Sequence, residues 1–256
     1  MKNIKDLKSI ANKLRRELII IHSKAHMSHI SSDLSCLDIL ITLYFNILKK
    51  GDHFILSKGH AALALYSVLH EKSIVSNSVY SSLGNNGSLL AEHPLYGMPG
   101  IEIATGSLGH GLSVGAGMAL TQKLNKSKGK VYILLSDGEC QEGSTLEAMN
   151  FCARMGLNNL IAIVDNNGWQ AFDQILISIK RIKREFISAG WEVIEINGHD
   201  YNQIYNALKT NSNKPKLIIA HTILGKGVKS MENNLGWHYW SPKSEDIEKF
   251  LEEVIK

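Results

Sequence analysis

Apolar residues recur at steps of three and four through Ile4, Leu7, Ile10, Ala11, Leu14, Leu18 and Ile21, the period of an amphipathic helix. The pattern breaks at the polar stretch His22–Ser32 and resumes from Leu34 to Leu48, with Ser32 or Asp33 as a candidate N-cap. Beyond it the period shortens. Phe54–Leu56, Val131–Leu135 and Leu160–Val164 are brief apolar runs of the kind made by parallel strands covered on both faces. Gly190–Ile196 and Pro215–Ala220 add two more strands, and helices over Ala61–Leu69, Arg181–Ala189, Tyr201–Leu208 and Glu245–Val254 alternate with them. This alternation predicts an α/β fold, a doubly wound and mostly parallel sheet with helices on both faces, as one domain over residues 1–256.

Val131–Gln170 organises the rest. It reads as strand, acidic turn, helix, strand and polar turn, and both strands end in oxygen-bearing residues: Ser136-Asp137-Gly138-Glu139, then Asp165-Asn166-Asn167. Ligands of open α/β sheets bind beyond the carboxyl ends of the strands, so neighbouring strands would bring Asp137 and Asn167 to one crevice. Hard oxygen ligands there suit magnesium carrying a phosphate group. Two ordinary strand-ending turns fit the same residues, because Asp, Asn and Gly are common in turns.

Gly109, Gly111, Gly115 and Gly117 fall in or beside an apolar helix ending near Leu120. Each helical glycine costs about 1 kcal/mol against alanine. Close approach of a diphosphate or tight helix packing through Gly111 and Gly115 would each account for them. The dinucleotide fingerprint is missing, since Val114 stands where its third glycine belongs. His22 and His26 read as surface or cap residues, while His29 lies in the loop between two apolar helices. His60 sits at a helix start, where a cap and an anion contact are both reasonable. Tyr80–Thr105 is a long loop without linker composition, and it carries His93.

Composition narrows the class. A chain of 256 residues, 44% apolar and 20% charged, can bury a sizeable core. The net charge of +4 includes one basic cluster, Lys180–Arg184, without interleaved aromatics, which argues against nucleic acid. Cys36, Cys140 and Cys152 form neither a metal spacing nor a disulfide framework, as expected in a cytoplasmic protein. No signal peptide or membrane-spanning segment is evident, so no membrane partner is expected.

Taken together, these pieces resemble the diphosphate-binding part of transketolase, a thiamine diphosphate enzyme. The superfamily signature, Gly-Asp-Gly followed by Asn-Asn, corresponds to Ser136-Asp137-Gly138 and Asn166-Asn167. Leu56–Ala61, Glu92–Pro94, Thr105–Gly111, Asp137–Gly143 and Gly225–His238 match further motifs in order. The resemblance implies that Asp137, Asn167 and the Trp169 carbonyl bind magnesium (or calcium or manganese). It implies that His60, Gly138, Glu139 and His238 contact the cofactor, with the backbone of Gly106, Ser107 and Leu108 wrapped around it. His29, His60, His93 and His238 would line the funnel to the thiazolium, binding sugar hydroxyls and moving protons.

This sequence departs from the family pattern in several places. Ser136 replaces a usual glycine near the reacting carbon, which would tighten the donor pocket. Met27–Ser32 keeps His29 but loses the glycines of the usual loop; His110 replaces a common glutamine, and Ala171–Gln174 lacks the usual Asp-Gly. The pyrimidine-binding and C-terminal domains of a full transketolase have no counterpart here, nor does the glutamate that drives the aminopyrimidine to its imino form. The resemblance therefore implies one subunit of a split transketolase, inactive alone. Its partner would be a C-terminal subunit, two copies of each, with sugars or sugar phosphates as substrates. The glycine-rich helix and Trp237–Trp240 are candidate interfaces. The alternatives are a subunit of a deoxyxylulose-type synthase or keto-acid dehydrogenase, or a non-catalytic scaffold; the four histidines favour transketolase.

Overall fold

The computed structural model describes residues 2–254. Helix α1 (Ile4–Ala25) begins in a capping box, Asn3 accepting the Asp6 N–H and Asp6 accepting the Asn3 N–H, and buries Leu7, Ile10, Leu14 and Leu18 as its periodicity predicts. Helix α2 (Ile30–Thr42) is buried along its whole length and continues into a π-helical turn, Leu43–Ile47. It starts four residues before the expected Leu34, because Ser31, Ser32 and Asp33 are hidden polar residues rather than a cap. Among the described residues, 30–47 is the one helical stretch long and apolar enough to cross a membrane; 89% of it is buried, as a core helix.

The remaining elements follow as β1 (His53–Leu56), α3 (Ala62–Glu71), α4 (Asn77–Ser81), α5 (Gly111–Leu124), β2 (Val131–Ser136), α6 (Gly143–Arg154) and β3 (Leu160–Asn166). A small antiparallel hairpin, β4 (Trp169–Gln170) with β5 (Asp173–Gln174), comes next. Then come α7 (Ile179–Ala189), β6 (Glu192–Asn197), α8 (Tyr201–Lys209), β7 (Lys216–His221) and α9 (Ile247–Glu253). The main sheet has the order β1-β2-β3-β7-β6, and every pairing is parallel.

Alternate strand residues feed two cores. Leu134, Ile163 and Ile218 pack with α1, α2, α3 and α8, whereas Ile133, Val164 and Leu217 pack with α5, α6 and α7. Parallel pairing aligns Ser136 with Asp165, so the turns after β2 and β3 lie side by side at the carboxyl edge. On α5 the glycines serve packing: a Cβ at Gly111 would stand 2.2 Å from Ser57 Oγ, and one at Gly115 2.5 Å from Ile133 Cδ1. Gly117 faces open space.

Candidate active site

Asp137 is buried where β2 ends. Its Oδ1 accepts the Gly138 N–H at 2.8 Å and its Oδ2 accepts the Gly168 N–H at 2.7 Å, which binds the β2 turn to the β3 turn. Gly168 makes that bond with φ +83°, a backbone that side-chain-bearing residues rarely adopt. Asn167, one residue earlier, accepts the Trp169 N–H through Oδ1 at 3.0 Å. Burial, with Asp165 adding to it, pushes the Asp137 carboxyl up to about 7 against the pull of the two N–H groups. A buried carboxylate, an amide oxygen and a nearby main-chain carbonyl make an all-oxygen donor set that suits a hard divalent cation. Among the described residues no group of three or more His, Cys, Asp or Glu is arranged to hold a metal ion.

Behind this turn, Asp165 is fully buried and accepts Ser35 Oγ at 2.5 Å, Thr222 Oγ1 and Lys58 Nζ. Lys58 also donates to the Ser32 carbonyl at 3.2 Å. Burial works most strongly against its charge, but Asp165, with Cys36 and Asp33 adding to it, raises its pKa on balance. The pair fixes the start of the turn Gly59–Ala61, which presents His60. Sequence reasoning assigns no role to Lys58 or Asp165, although Lys58 falls within the Leu56–Ala61 motif and Asp165 at the end of an apolar run.

Three predicted histidines converge. The rings of His29 and His238 are 4.6 Å apart, those of His29 and His60 5.4 Å, and those of His60 and His238 5.7 Å. His93 stands 6.2 Å from His29. His29 lies in left-handed backbone, φ 69°, a conformation that costs of order 1–3 kcal/mol for such a residue. The bond from its N–H to the His238 carbonyl, at 3.0 Å, holds it there. The glycine-poor loop therefore keeps an αL position without a glycine. Its Nδ1 is buried and finds no partner among the described residues, leaving a polar atom free for a ligand. Burial first, and their neighbouring positive charges next, lower His60 and His238, the latter to about 4. His29 is lowered as well, by burial against the pull of Glu92 and Asp33. These imidazoles are neutral near pH 7, with one donor and one acceptor each.

Glu92 accepts both the N–H (2.9 Å) and the hydroxyl (2.5 Å) of Ser28, and Thr105 Oγ1 donates to the Leu56 carbonyl at 2.8 Å. The long loop is thereby tied at its middle and its C-terminal end and holds His93 against Gly106, where an added Cβ would meet the ring at 3.3 Å. Gly106, Ser107 and Leu108 lead from here to α5. Glu139 is wholly buried: its Oε1 accepts the Gly109 N–H at 2.8 Å and the Ser57 hydroxyl, so it braces that loop from below. Ser136 turns its hydroxyl to the Glu139 N–H at 3.2 Å, serving the turn. Gly138 lies under Gln170, whose Cβ is 3.3 Å from the Cβ position of that glycine.

Some expectations are corrected. His22 is no surface residue; it is fully buried and pairs with Asp33. Asp33 is no N-cap, since His29 holds that position without a side-chain bond. His26 does cap α1, in left-handed backbone, and is exposed. The hairpin β4–β5 has no counterpart among the predicted elements. It carries Phe172 to within 5.5 Å of the Tyr239 ring, stacked, and Tyr239 OH donates to the Ala171 carbonyl. The altered Ala171–Gln174 segment is thus an aromatic lip beside His238, itself 4.9 Å from Tyr239.

The parallel sheet, the oxygen donors at its carboxyl edge and the ring of neutral histidines define a thiamine diphosphate-binding domain. The family described as "Transketolase, thiamine diphosphate binding domain" matches residues 8–254, and the chain belongs to it. A relative from Phocaeicola vulgatus, one of the subunits of an apulose-4-phosphate transketolase, is 40% identical over 265 residues, covering 98% of this chain and 94% of the relative. A 6-deoxy-6-sulfo-D-fructose transketolase subunit of a Clostridium species is 32% identical, covering 91% of this chain and 90% of its own length. The crystal structure of transketolase from Campylobacter jejuni superposes with a TM-score of 0.90 at 32% identity. The match covers 98% of this chain and 43% of that one.

Proposed function

We propose that the chain is the diphosphate-binding subunit of a two-component transketolase, moving a two-carbon ketol unit from a ketose to an aldose. The observation that carries the reading is the convergence of His29, His60 and His238 beside the turns holding Asp137 and Asn167. Asp137, Asn167 and the Trp169 carbonyl would hold magnesium, and the metal would hold the diphosphate of thiamine diphosphate. His60, His238 and Gly138 would bind the diphosphate, Gly106–Leu108 would wrap the cofactor, and Glu139 would brace that wrap. When bound, the cofactor supplies a thiazolium carbon that carries the ketol unit.

This chain's residues orient the sugar. His29 Nδ1, buried and unpartnered, would accept from or donate to a donor-sugar hydroxyl, and His60, His93 and His238 would bind the other hydroxyls and relay protons. Relatives that match nearly end to end are named as transketolase subunits for apulose-4-phosphate and for a sulfonated fructose. Those names support a ketose bearing an anionic group as substrate, and they support a partner chain. That partner would bring the pyrimidine-binding domain and the catalytic glutamate, in two copies of each chain, within the cytoplasm.

The test is reconstitution. The purified chain should turn over no ketose alone and should gain ketol transfer when mixed with a chain carrying the pyrimidine-binding domain. Robust transfer without that partner would sink the two-component reading.

A further inference from the structure

The opposite edge of the sheet holds a second concavity, of about 500 Å³, remote from the histidines. Lys130 lies at its wall just before β2, and Asp137 just after that strand. Six residues of strand separate the two, roughly 20 Å at the usual rise. Four lysines line the space: Lys49, Lys128, Lys130 and Lys209. Among the described residues none of them forms an ion pair. Lys130 Nζ donates to Asn211 Oδ1 at 3.3 Å and Lys209 Nζ to Tyr205 OH at 2.7 Å, both neutral partners.

The one carboxylate in the wall, Asp52, is already engaged by backbone. Its Oδ1 accepts the Lys130 N–H at 2.9 Å and its Oδ2 accepts the Lys49 N–H at 3.0 Å. Asp52 thereby pins two of the lysines side by side from opposite segments. A fifth cation lies close by. Lys216 is buried and donates to the Ala207 and Thr210 carbonyls, which flank the wall residues Leu208 and Lys209. Burial lowers its pKa; Glu192 opposes that shift and the charge of Lys130 adds to it.

A contrast within the same fold gives this arrangement its meaning. The cavity at Arg15, Asp38 and His199 is also lined by charge, but there Asp38 accepts Arg15, His199 and Tyr201 together. That network is self-neutralised. At the lysine cleft, four ammonium groups share one concavity with a single carboxylate, so an excess of positive charge faces the space.

We infer that the cleft walled by Lys49, Lys128, Lys130 and Lys209 is a binding site for a diphosphate-bearing small anion. Four lysines less the Asp52 carboxylate leave three positive charges, more than one phosphate neutralises and a match for a diphosphate, and Asn46, Asn211 and Tyr205 offer polar contacts to its oxygens. Free pyrophosphate and the diphosphate of a nucleotide share that chemistry.

The full chain, saturated beforehand with thiamine diphosphate and magnesium to fill the carboxyl-edge site, is titrated calorimetrically with inorganic pyrophosphate and separately with ADP. One saturable site per chain is expected, weakened at least tenfold in K128E/K130E and also in the milder K49Q/K209Q. Pyrophosphate binding at least as tightly as ADP assigns the site to free diphosphate, and tighter ADP assigns it to a nucleotide; both outcomes support it. Unchanged affinity in folded K128E/K130E overturns the site, as does absence of saturable binding at millimolar probe.

Discussion

His22 Nε2 lies 2.9 Å from Asp33 Oδ2, with both side chains wholly buried. His22 Nδ1 faces the Met27 carbonyl at 3.0 Å; a carbonyl only accepts, so that nitrogen donates. The other carboxylate oxygen of Asp33 accepts the Ala64 N–H at 2.7 Å. The pair thus joins the end of α1, the loop leading to His29, the start of α2 and the first turn of α3 behind His60. His22→Phe should remove about 3 kcal/mol of stability, because a buried carboxylate loses its partner. Urea denaturation measures it, and an unchanged midpoint would contradict the structural role of the pair.

Asp137→Ala should weaken magnesium-dependent binding of thiamine diphosphate by more than about 100-fold, the upper range seen when only a residue behind a ligand is lost. Quenching of the nearby Trp169 reports binding without any need for turnover. Native-strength binding with magnesium in the variant would refute the metal assignment.

The histidine cluster predicts acid sensitivity. Burial first, then neighbouring cations, sets the His238 pKa to about 4 against 6.5 for the free side chain, and lowers His29 and His60 too. The unfolded chain takes up these protons first, so the histidines' contribution to stability is complete above about pH 6.5 and is lost as pH drops toward about 4. Ionised Glu92, beside Ser28, faces His29 and His93 and moderates the loss. Asp137, whose carboxyl stands at about 7 in the fold, takes up its proton over the same range and opposes this trend, so the histidine contribution is read by difference: between about pH 7.5 and about pH 5 the urea midpoint of the parent should fall relative to that of His238→Asn. A difference between the two midpoints that stays constant over this range would refute the prediction.

Two glycines of one helix should respond with opposite signs. Gly115→Ala drives a methyl to 2.5 Å from Ile133 Cδ1 in the central sheet and should cost about 1–3 kcal/mol. Gly117→Ala meets nothing within 4 Å and should stabilise the isolated chain by about 0.5–1 kcal/mol. Thermal melts of both variants decide it. A loss of stability at Gly117 would mean that its exposed face is not free in the isolated chain.

Much of this architecture is legible from apolar pattern alone. The strands of the sheet and the side-by-side delivery of Asp137 and Asn167 follow from short apolar runs ending in oxygen-bearing turns. The start of α2 does not, because Ser35 and Asp33 are polar residues that point inward to Asp165 and His22. Periodicity counts such residues as surface. The histidine cluster is legible only through joint resemblance, since its members come from four separated segments. Hairpin β4–β5 escapes because two-residue strands leave no period.

The buried pair of Lys58 and Asp165 has a consequence for how this sequence can change over time. Losing either alone strands a charge in the interior, at a cost of about 3–5 kcal/mol, a large share of the roughly 5–15 kcal/mol by which a domain is stable. The two positions can therefore drift only in concert, although they stand 107 residues apart along the chain. Phe172 on the open aromatic lip, 85% exposed, carries no such constraint and can change without disturbing this inherited rivet.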